Sequence, residues 1–299
     1  MDFNQINESL PIQPISHAEA VKRGIDLRIL RLDQTHPEIS GNKWFKLKYN
    51  LLEANKAGYT QLLTFGGAYS NHIHAVAGAA QLFGFQSIGI IRGEEHRELN
   101  PTLTYAKERG MILKYVDRES YRQKTDKLFI EKLEMEFGEF YLIPEGGTNK
   151  LAIKGAAEIV DFFTEEFDYY CLPVGTGGTI AGLITGLQNQ GRIIGFSALK
   201  GSFLTKEVSE LMETHSTDSF INWEINNDYH FGGYAKIKPE LLEFIKEMES
   251  DHGLLLDPVY TGKMLFGVID LIKKEIIPPG TKVLAIHTGG LQGRAGFGL

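Results

Sequence analysis

Glycine-rich segments that directly follow runs of strand-forming residues are the feature that most constrains this chain. Three such segments are Gly66-Gly67-Ala68-Tyr69-Ser70-Asn71-His72, Gly175-Thr176-Gly177-Gly178-Thr179 and His287-Thr288-Gly289-Gly290, and a fourth motif is Ser40-Gly41-Asn42-Lys43. Glycine lets the backbone turn sharply and approach a ligand closely, and ligands of α/β proteins bind at the carboxyl ends of parallel strands. The sequence therefore predicts an α/β fold whose ligand lies at that edge of a sheet.

Short β-rich runs alternate with helical patterns along almost the whole chain. The predicted strands cover 28–32, 62–65, 87–91, 112–116, 140–143, 169–174, 192–196 and 283–286. Between them, apolar residues recur at helical spacing at Ile73, Val76, Ala77 and Ala80, and again at Ile180, Leu183, Ile184 and Leu187. This alternation indicates parallel sheets with helices on their faces.

The composition excludes several classes of protein. With 42% hydrophobic and 23% charged residues the chain is typical of a globular protein, and it has no run of about 18 apolar residues that would predict a membrane span. Its single cysteine, Cys171, cannot form an intramolecular disulfide. A net charge of −7 without a basic block is unlike that of a nucleic-acid binder. The start of the chain lacks the pattern of a secretory signal, so we expect a cytoplasmic protein.

The arrangement of the glycine-rich loops predicts how the domains are organised. The 299 residues suffice for about two domains, yet neither a repeat nor a Pro/Gly/Ser-rich linker separates two sequential ones. The loops instead form two groups, one before Gly84 and one after Pro144. This pattern favours a smaller domain inserted into a larger one.

The segment G-T-G-G-T at 175–179 has the chemistry of a phosphate-binding loop. Glycine amides and the hydroxyls of Thr176 and Thr179 would lie at a helix N-terminus, which attracts anions. Ile180 stands where a dinucleotide-binding motif needs its third glycine, and no G-K-[ST] follows as in a P-loop. A monophosphate is therefore favoured over a dinucleotide or a nucleoside triphosphate, with a tight turn that binds nothing as the alternative.

Lys43 begins a predicted helix, for which Ser40 is the candidate N-cap. The apolar stripe of this helix is Trp44, Leu47, Leu51 and Ala54. The positive end of the helix dipole disfavours an ammonium and so favours the neutral amine that reacts with carbonyl groups. Most lysines are solvated, and we expect this of at least two among Lys43, Lys46 and Lys48.

Ser70 and Asn71 are N-cap residue types that precede a nearly apolar helix. With Gly66 and Gly67 before them, they either cap the helix alone or also receive a carboxylate there. His72 and His74 lie two residues apart and point to different faces of the predicted helix, so we expect no metal site.

Taken together and in this order, the motifs resemble those of fold-type II pyridoxal-phosphate enzymes, and within them of 1-aminocyclopropane-1-carboxylate deaminases and D-cysteine desulfhydrases. The matching segments are S-G-N-K at 40–43, S-N-H at 70–72, G-T-G-G-T at 175–179, L-D-P-V-Y-T-G-K at 256–263 and H-T-G-G at 287–290. The resemblance implies two open, mostly parallel twisted sheets with flanking helices, as in tryptophan synthase β. It also implies a large cofactor-binding domain at 1–44 and 146–299, a small inserted domain at 45–145, and a homodimer.

The resemblance implies pyridoxal 5'-phosphate as the cofactor and assigns residues to it. Lys43 would hold the cofactor covalently, and the residues 175–179 would bind its phosphate. Asn71 would bond its phenolic oxygen, and Thr288 would lie near its pyridine ring.

On the substrate side, the resemblance assigns the catalytic roles to Lys43, Ser70 and Tyr260. Ser70, with neighbouring amides and His72, would receive the substrate carboxylate. Tyr260 and Tyr234 would line the substrate side of the ring, and Thr261 would lie near it.

Three departures from the usual pattern of the group concern the substrate more than the cofactor. They are Phe45 in place of an arginine, Lys48 in place of a glutamate and Tyr69 in place of a glutamine.

Two further positions distinguish the two activities of the group. Deaminases usually carry glutamate and leucine where this chain has Thr261 and Thr288. A carboxylate would keep the pyridine nitrogen protonated, which ring opening needs more than loss of a thiolate does. The sequence thus favours a lyase that releases pyruvate, ammonia and sulfide from D-cysteine or a related small amino acid. The alternatives are 1-aminocyclopropane-1-carboxylate deamination and a non-catalytic protein that binds pyridoxal phosphate.

Overall fold

The computed structural model describes residues 3, 5–7, 9–95 and 97–299, which contain ten strands and eleven α-helices. The strands β1 to β10 are Ile12–Pro14, Asp26–Leu30, Gln61–Gly67, Gln86–Arg92, Ile112–Val116, Tyr141–Ile143, Tyr169–Val174, Arg192–Ser197, Trp223–Asn226 and Lys282–Ile286. The helices α1 to α11 are Ala18–Lys22, Asn42–Lys56, Asn71–Phe83, Pro101–Glu108, Arg118–Arg122, Lys127–Phe137, Lys150–Ala157, Gly178–Leu187, Phe203–His215, Pro239–His252 and Thr261–Lys273. Short 3-10 helices occur at Leu32–Gln34, Glu145–Gly147, Glu158–Phe162 and Leu291–Phe297.

The strands form two sheets, which confirms the predicted fold class. A six-stranded sheet has the order β1-β2-β10-β7-β8-β9, and a four-stranded sheet has the order β5-β4-β3-β6. The four-stranded sheet is parallel throughout, whereas β1 pairs antiparallel with β2 at the edge of the larger sheet. Parallel pairing places the carboxyl ends of the strands of one sheet at a common edge, where the glycine-rich loops begin.

Most predicted strands are confirmed, and the main differences concern β2 and the edge strands β1 and β9. The bounds predicted for 112–116 and 169–174 match those of β5 and β7. The prediction at 28–32 lies two residues too late, because β2 ends where a 3-10 turn begins at Leu32. The edge strands β1 and β9 were not predicted, because they have three and four residues and no buried apolar run.

The largest apolar cluster joins the two sheets. It contains Leu172 and Ile286 from the six-stranded sheet together with Leu62 and Ile143 from the four-stranded one. The helices α2, α3, α7 and α8 contribute most of the rest, and α2 packs against α3, α7 and α8. The domain boundary expected between residues 44 and 45 falls inside the continuous helix α2, and the division into domains stays a prediction.

None of the helices in the described part of the chain is long and apolar enough to cross a membrane.

Candidate active site

A cavity of about 630 Å³ lies at the carboxyl ends of strands from both sheets, beside the start of α2. Its walls include Gly67 and Arg92 at the ends of β3 and β4, and Val174 at the end of β7. Twelve of the thirteen predicted site residues line it, namely Lys43, Ser70, Asn71, His72, Gly175, Thr176, Gly177, Gly178, Thr179, Tyr234, Tyr260 and Thr288. The motifs that are far apart in sequence therefore meet in one place.

The start of α2 is held against the loop that follows β10. Gly41, and not Ser40, is the N-cap of α2, and Ser40 Oγ donates instead to the Asp33 carbonyl at 3.0 Å. This corrects the predicted cap. Gly41 has a φ of 70°, and a Cβ there would lie 2.0 Å from the Thr288 carbonyl oxygen. Only glycine fits this close contact, which positions Lys43 beside Thr288.

The Lys43 amine faces the cavity and has few groups around it that would stabilise an ammonium. Its Nζ donates to Asn42 Oδ1 at 2.9 Å, and no carboxylate among the described residues lies within 4.0 Å of it. Burial lowers the pKa of Lys43 to about 8, although the negative charge of Asp257 acts in the opposite direction. Near neutral pH the unprotonated, nucleophilic form of this amine is therefore far more populated than it would be at the ordinary lysine pKa of 10.5.

The loop at 175–179 leaves the N-terminus of α8 open to a ligand. Gly177 is the N-cap in a left-handed conformation, with a φ of 77°, and no side chain caps the helix. Thr179 Oγ1 accepts a hydrogen bond from Asn42 Nδ2 at 2.8 Å, which ties the loop to α2. The free amides and the dipole of α8 thus point into the cavity.

Lys46 is a functional candidate that the sequence interpretation placed at the surface. It is only 2% exposed, and its Nζ donates to Thr148 Oγ1 at 2.8 Å and Thr176 Oγ1 at 3.2 Å. Burial, and the charge of Lys43, lower the pKa of Lys46 well below its usual range. Because Lys43 and Lys46 are three residues apart, they share one face of α2. This spacing could have indicated that Lys46 also reaches the cavity. Lys48 is also partly buried, with Nζ 2.5 Å from Glu158 Oε2.

Ser70 caps α3, as predicted. Its Oγ accepts hydrogen bonds from the amides of His72 and Ile73 at 3.2 and 3.3 Å, which leaves its own hydrogen available to a ligand. Asn71 Oδ1 accepts a hydrogen bond from Gln292 Nε2. The Asn71 amide nitrogen is consequently the atom left to donate to a ligand.

His72 lines the cavity in its neutral form. The Thr64 hydroxyl donates to the Ile143 carbonyl at 2.8 Å, so it must accept the 2.8 Å hydrogen bond from His72 Nε2. Nδ1 therefore carries a lone pair, and it has no partner among the described residues. Burial, with the charges of Lys46 and Lys43, lowers the pKa of His72 well below its usual range. The Pro144 carbonyl acts on this pKa in the opposite direction, and a role of His72 toward the substrate carboxylate stays a prediction.

Tyr234 and Tyr260 form an aromatic wall on the opposite side of the cavity. Their rings meet edge to face with centroids 6.2 Å apart. A Cβ at Gly175 would lie 3.1 Å from the Tyr260 ring, so the loop and the ring touch closely. Burial raises the pKa of both tyrosines, and both therefore stay protonated donors at neutral pH.

Thr261 is the predicted site residue that the structure does not bring to the cavity. It is fully buried, and its Oγ1 bonds Asp257 Oδ1 at 2.8 Å and the Asp257 amide at 2.9 Å. Asp257 also accepts from the amides of Val259, Tyr260 and Thr261. Thr261 thus orients Asp257 behind Tyr260, and this corrects the expectation that it contacts the substrate.

The three departures from the family pattern have different surroundings. Phe45 is buried and packs edge to face on Phe162 at 5.7 Å, and Lys48 pairs with Glu158 outside the cavity. Tyr69 lines the cavity and is 56% exposed. Of the three, Tyr69 is the one in a position to meet a substrate.

Within the described ranges, no group of three or more histidine, cysteine or carboxylate side chains could hold a metal ion. His74 stacks on Tyr105 with centroids 3.7 Å apart, away from the partners of His72.

Comparisons with known proteins place this geometry in context. A family model described as pyridoxal-phosphate dependent enzyme matches residues 11–289. A putative 1-aminocyclopropane-1-carboxylate deaminase of Pyrococcus horikoshii is 33% identical, over 95% of this chain and 91% of its own. A bifunctional D-cysteine desulfhydrase/1-aminocyclopropane-1-carboxylate deaminase of Arabidopsis thaliana is 32% identical, over 90% of this chain and 73% of its own. The crystal structure of an ACC deaminase homologue is similar with a TM-score of 0.86 and 31% identity, over 98% of this chain and 93% of the other.

Proposed function

This chain belongs to the family of pyridoxal-phosphate dependent enzymes, and from that premise we propose that it is a lyase that releases pyruvate, ammonia and sulfide from D-cysteine. Pyridoxal phosphate is the cofactor of this family and of its deaminase and desulfhydrase relatives. The observation that carries the proposal is the Lys43 amine, which faces the cavity without a carboxylate partner and has a pKa lowered to about 8.

The residues around the cavity fit the phosphate of this cofactor. Lys46 is a buried cation whose described partners are only hydroxyl groups, and the N-terminus of α8 has no side-chain cap. A Cβ at Gly178 would lie 3.1 Å from Lys46 Nζ, so glycine keeps this space open. A dianionic group would satisfy the lysine, the helix N-terminus and the Thr176 hydroxyl together.

When bound, pyridoxal phosphate supplies an aldehyde that binds a primary amine and a ring that withdraws electrons from the substrate Cα. Lys43 would hold the cofactor and later take the Cα proton on its Nζ, for which its lowered pKa is suited. Asn71 would donate from Nδ2 to the phenolic oxygen, because Gln292 occupies its Oδ1.

The start of α3 is suited to hold the carboxylate of the substrate. The Ser70 hydroxyl hydrogen is free, since its oxygen is engaged as an acceptor in the cap. The dipole of α3 adds positive potential at the same point. Tyr260 and Tyr234, which stay protonated, would donate to the sulfur that leaves from the β-carbon.

The choice of D-cysteine is supported by the absence of a glutamate at position 261 and of a leucine at position 288, where this chain has Thr261 and Thr288. The deaminase group carries a glutamate at the first position, whereas the hydroxyl here is bound to Asp257. A hydroxyl does not keep the pyridine nitrogen protonated as a carboxylate does. Loss of a thiolate depends less on a protonated ring than opening of a cyclopropane does. The second candidate is 1-aminocyclopropane-1-carboxylate deamination, which is favoured by the names of several relatives.

The test is an assay of 2-oxo acid release from D- and L-cysteine, D- and L-serine, chloroalanine and 1-aminocyclopropane-1-carboxylate. We expect D-cysteine to be the preferred substrate, with sulfide formed in equal amount to pyruvate. Lys43→Ala should lower turnover by a factor of at least about 10³. Lys48→Ala is the matched control, because Lys48 pairs with Glu158 and does not line the cavity.

Three results would contradict this proposal. Preference for the cyclopropane substrate would establish the deaminase alternative. Binding of pyridoxal phosphate without turnover of any amino acid would indicate a non-catalytic protein, and full activity of Lys43→Ala would remove the proposed roles of that residue.

A further inference from the structure

Two arginines of the four-stranded sheet face the cavity without a part in the chemistry proposed above. Gly67, Arg92 and Val116 are aligned across β3, β4 and β5, where these strands end. Arg118 begins α5 two residues after Val116. Arg92, Arg118 and Ser70 all line the cavity.

The Arg92 guanidinium is supported in its position. It lies over the ring of Tyr121, 5.5 Å from the centroid, and Tyr121 is only 2% exposed. The Tyr121 hydroxyl donates to Glu145 Oε1 at 2.8 Å, which fixes the ring. A Cβ at Gly67 would lie 3.5 Å from Arg92 Nη2, so the guanidinium passes beside the backbone that leads to Ser70.

Neither arginine has a carboxylate partner within the described part of the chain. Six of the ten arginines lie within 4.0 Å of a carboxylate, namely Arg23, Arg28, Arg31, Arg109, Arg192 and Arg294. Glu145 lines the cavity too, but it accepts from Tyr121 and lies 3.4 Å from Lys124. Among the described residues, neither Arg92 nor Arg118 therefore forms an ion pair with a carboxylate within 4.0 Å, although Glu145 lines the same cavity.

Arg92 also lies near the aromatic wall that faces the substrate. Burial raises the pKa of Tyr234, and the positive charge of Arg92 acts in the opposite direction. Arg92 thus lines the same cavity as Tyr234 and is close enough to act on its pKa. A substrate whose carboxylate binds at Ser70 would direct its side chain into this space.

We propose that the site also accepts, beside D-cysteine, substrates that carry a second anionic group on the side chain, bound by Arg92 and Arg118. This inference rests on the proposed function, because it concerns the substrate of the same site. The class is a small amino acid whose β-carbon bears a sulfonate, phosphate or thiosulfonate leaving group. Guanidinium groups bind such oxyanions through paired hydrogen bonds.

The chemistry of such a substrate balances without an oxidant or reductant. In S-sulfocysteine, the Cα proton is removed and the bond from Cβ to sulfur breaks, so that thiosulfate leaves with the electron pair. One water is consumed, and pyruvate and ammonia are the other products. O-Phosphoserine reacts in the same way, with phosphate as the leaving group.

The experiment compares anionic with neutral substrates on the holoenzyme. The kcat/KM for D-S-sulfocysteine is measured against that for D-cysteine in the wild type, Arg92→Gln and Arg118→Gln. We expect each substitution to lower kcat/KM for the anionic substrate by about tenfold or more, with less than about twofold change for D-cysteine. Arg122→Gln is the control, because Arg122 lies on α5 outside the cavity lining. The ratio of two substrates on one variant does not depend on how much of that variant is folded.

Two outcomes would overturn the inference. An unchanged ratio in both variants would show that the arginines are solvated groups. Equal losses for both substrates would show that they bind the α-carboxylate instead.

A binding measurement separates this inference from the proposed function. Calorimetric titration compares D-aspartate, which has a second carboxylate and no leaving group, with D-alanine. We expect tighter binding of D-aspartate by the wild-type holoenzyme and loss of that difference in Arg92→Gln, even if no amino acid is turned over. Equal binding of the two amino acids by the wild type would overturn the inference and leave the lyase proposal intact.

Discussion

Lys43 and Lys46 are two amines on one face of α2 whose described partners include no carboxylate. Burying an unpaired ammonium is unfavourable, so a buried lysine either loses its proton or requires an anionic partner. The lowered pKa of Lys43 favours its neutral amine. Lys46 is placed beside Thr176, where a bound anion would stabilise its ammonium form.

The pH at which Lys43 becomes reactive tests the first of these statements. Because burial lowers its pKa to about 8, the neutral amine forms above that pH, well below the ordinary lysine value of 10.5. Competitive labelling of cofactor-free protein with acetic anhydride, followed by peptide mapping, should give a midpoint near pH 8 for Lys43. Exposed Lys127 serves as the internal reference. In Asp257→Asn the midpoint should fall further, because the charge that raises this pKa is removed; a midpoint near 10.5 in the wild type would contradict the burial argument.

The effect of inorganic phosphate on the free energy of unfolding tests whether an anion binds beside Lys46. At tenfold its dissociation constant, a ligand that binds only the folded state adds about 1.4 kcal/mol to the free energy of unfolding. We expect phosphate to stabilise cofactor-free wild type and to have little effect on Lys46→Met. Without phosphate, Lys46→Met should be at least as stable as the wild type, because it replaces a buried polar amine by an apolar side chain of similar length. Equal stabilisation of both proteins would mean that phosphate binds elsewhere, and Lys48→Met is the control.

At this scale, the sequence predicted residue types well and their hydrogen-bond partners poorly. Most of the predicted site residues lie together because they follow a strand end or begin a helix, and local pattern reveals such positions. Lys46, Arg92 and Gln292 were not predicted, since their importance comes from contacts with distant segments. The orientation of His72 likewise depends on Thr64 and Ile143, which periodicity cannot identify.

The loop before α10 is an element whose conformation depends on one buried side chain. Lys263, on α11, is 1% exposed, and its Nζ donates to the carbonyls of His230 and Gly233 at 2.9 Å each. Phe231 and Ala235 in this loop have φ values of 54°, a left-handed conformation that such residues rarely adopt. Lys263 thus holds a strained loop in the shape that brings Tyr234 to the cavity.

Lys263→Met should release this loop without disturbing the cofactor site. We expect faster amide hydrogen exchange at 229–236 and a severalfold rise in KM for the amino acid, because Tyr234 loses its position. The absorption spectrum of bound cofactor should stay unchanged, and Lys236→Met, at the exposed end of the loop, should behave as the wild type. Unaltered exchange in Lys263→Met would show that the loop holds its shape by other means.

Among elements, those with long buried runs were predicted accurately and those at the edges were not. The central strands and the helices α3 and α8 have continuous apolar patterns that fix their extent. The start of α2 was assigned to Ser40, because a serine there is a good cap by sequence. The close approach of Thr288 requires Gly41 in that place instead, and only the folded chain brings these two segments together.

The whole molecule is held together by helices that pack between the two sheets. Gly155 of α7 touches α2 so closely that a Cβ would lie 1.9 Å from the Phe45 carbonyl oxygen. The contact lies in the cluster that contains strands of both sheets. The two halves of the cavity are therefore kept in place by tight helix packing.

Gly155→Ala should destabilise the molecule as a whole. The added methyl group must push α7 from α2, and overpacking of this kind costs about 1–3 kcal/mol, which exceeds the gain in helix propensity of about 1 kcal/mol. Denaturant unfolding of cofactor-free protein measures the loss. Gly296→Ala is the control, because a Cβ there would meet its nearest atom at an ordinary 3.5 Å. A Gly155→Ala protein as stable as the control would disprove the close contact.

The helix α2 also fixes the distance between the two buried lysines. Its two buried amines are three residues apart, which is a rise of about 4.5 Å along the axis of a rigid helix. Under the proposed function, the first amine would react with the aldehyde of the cofactor and the second would contact its phosphate, so their separation would set the length of a molecule that engages both. We therefore expect phosphorylated aldehydes with a shorter or longer spacer to engage one amine at a time, so that α2 would select its cofactor by length as well as by charge.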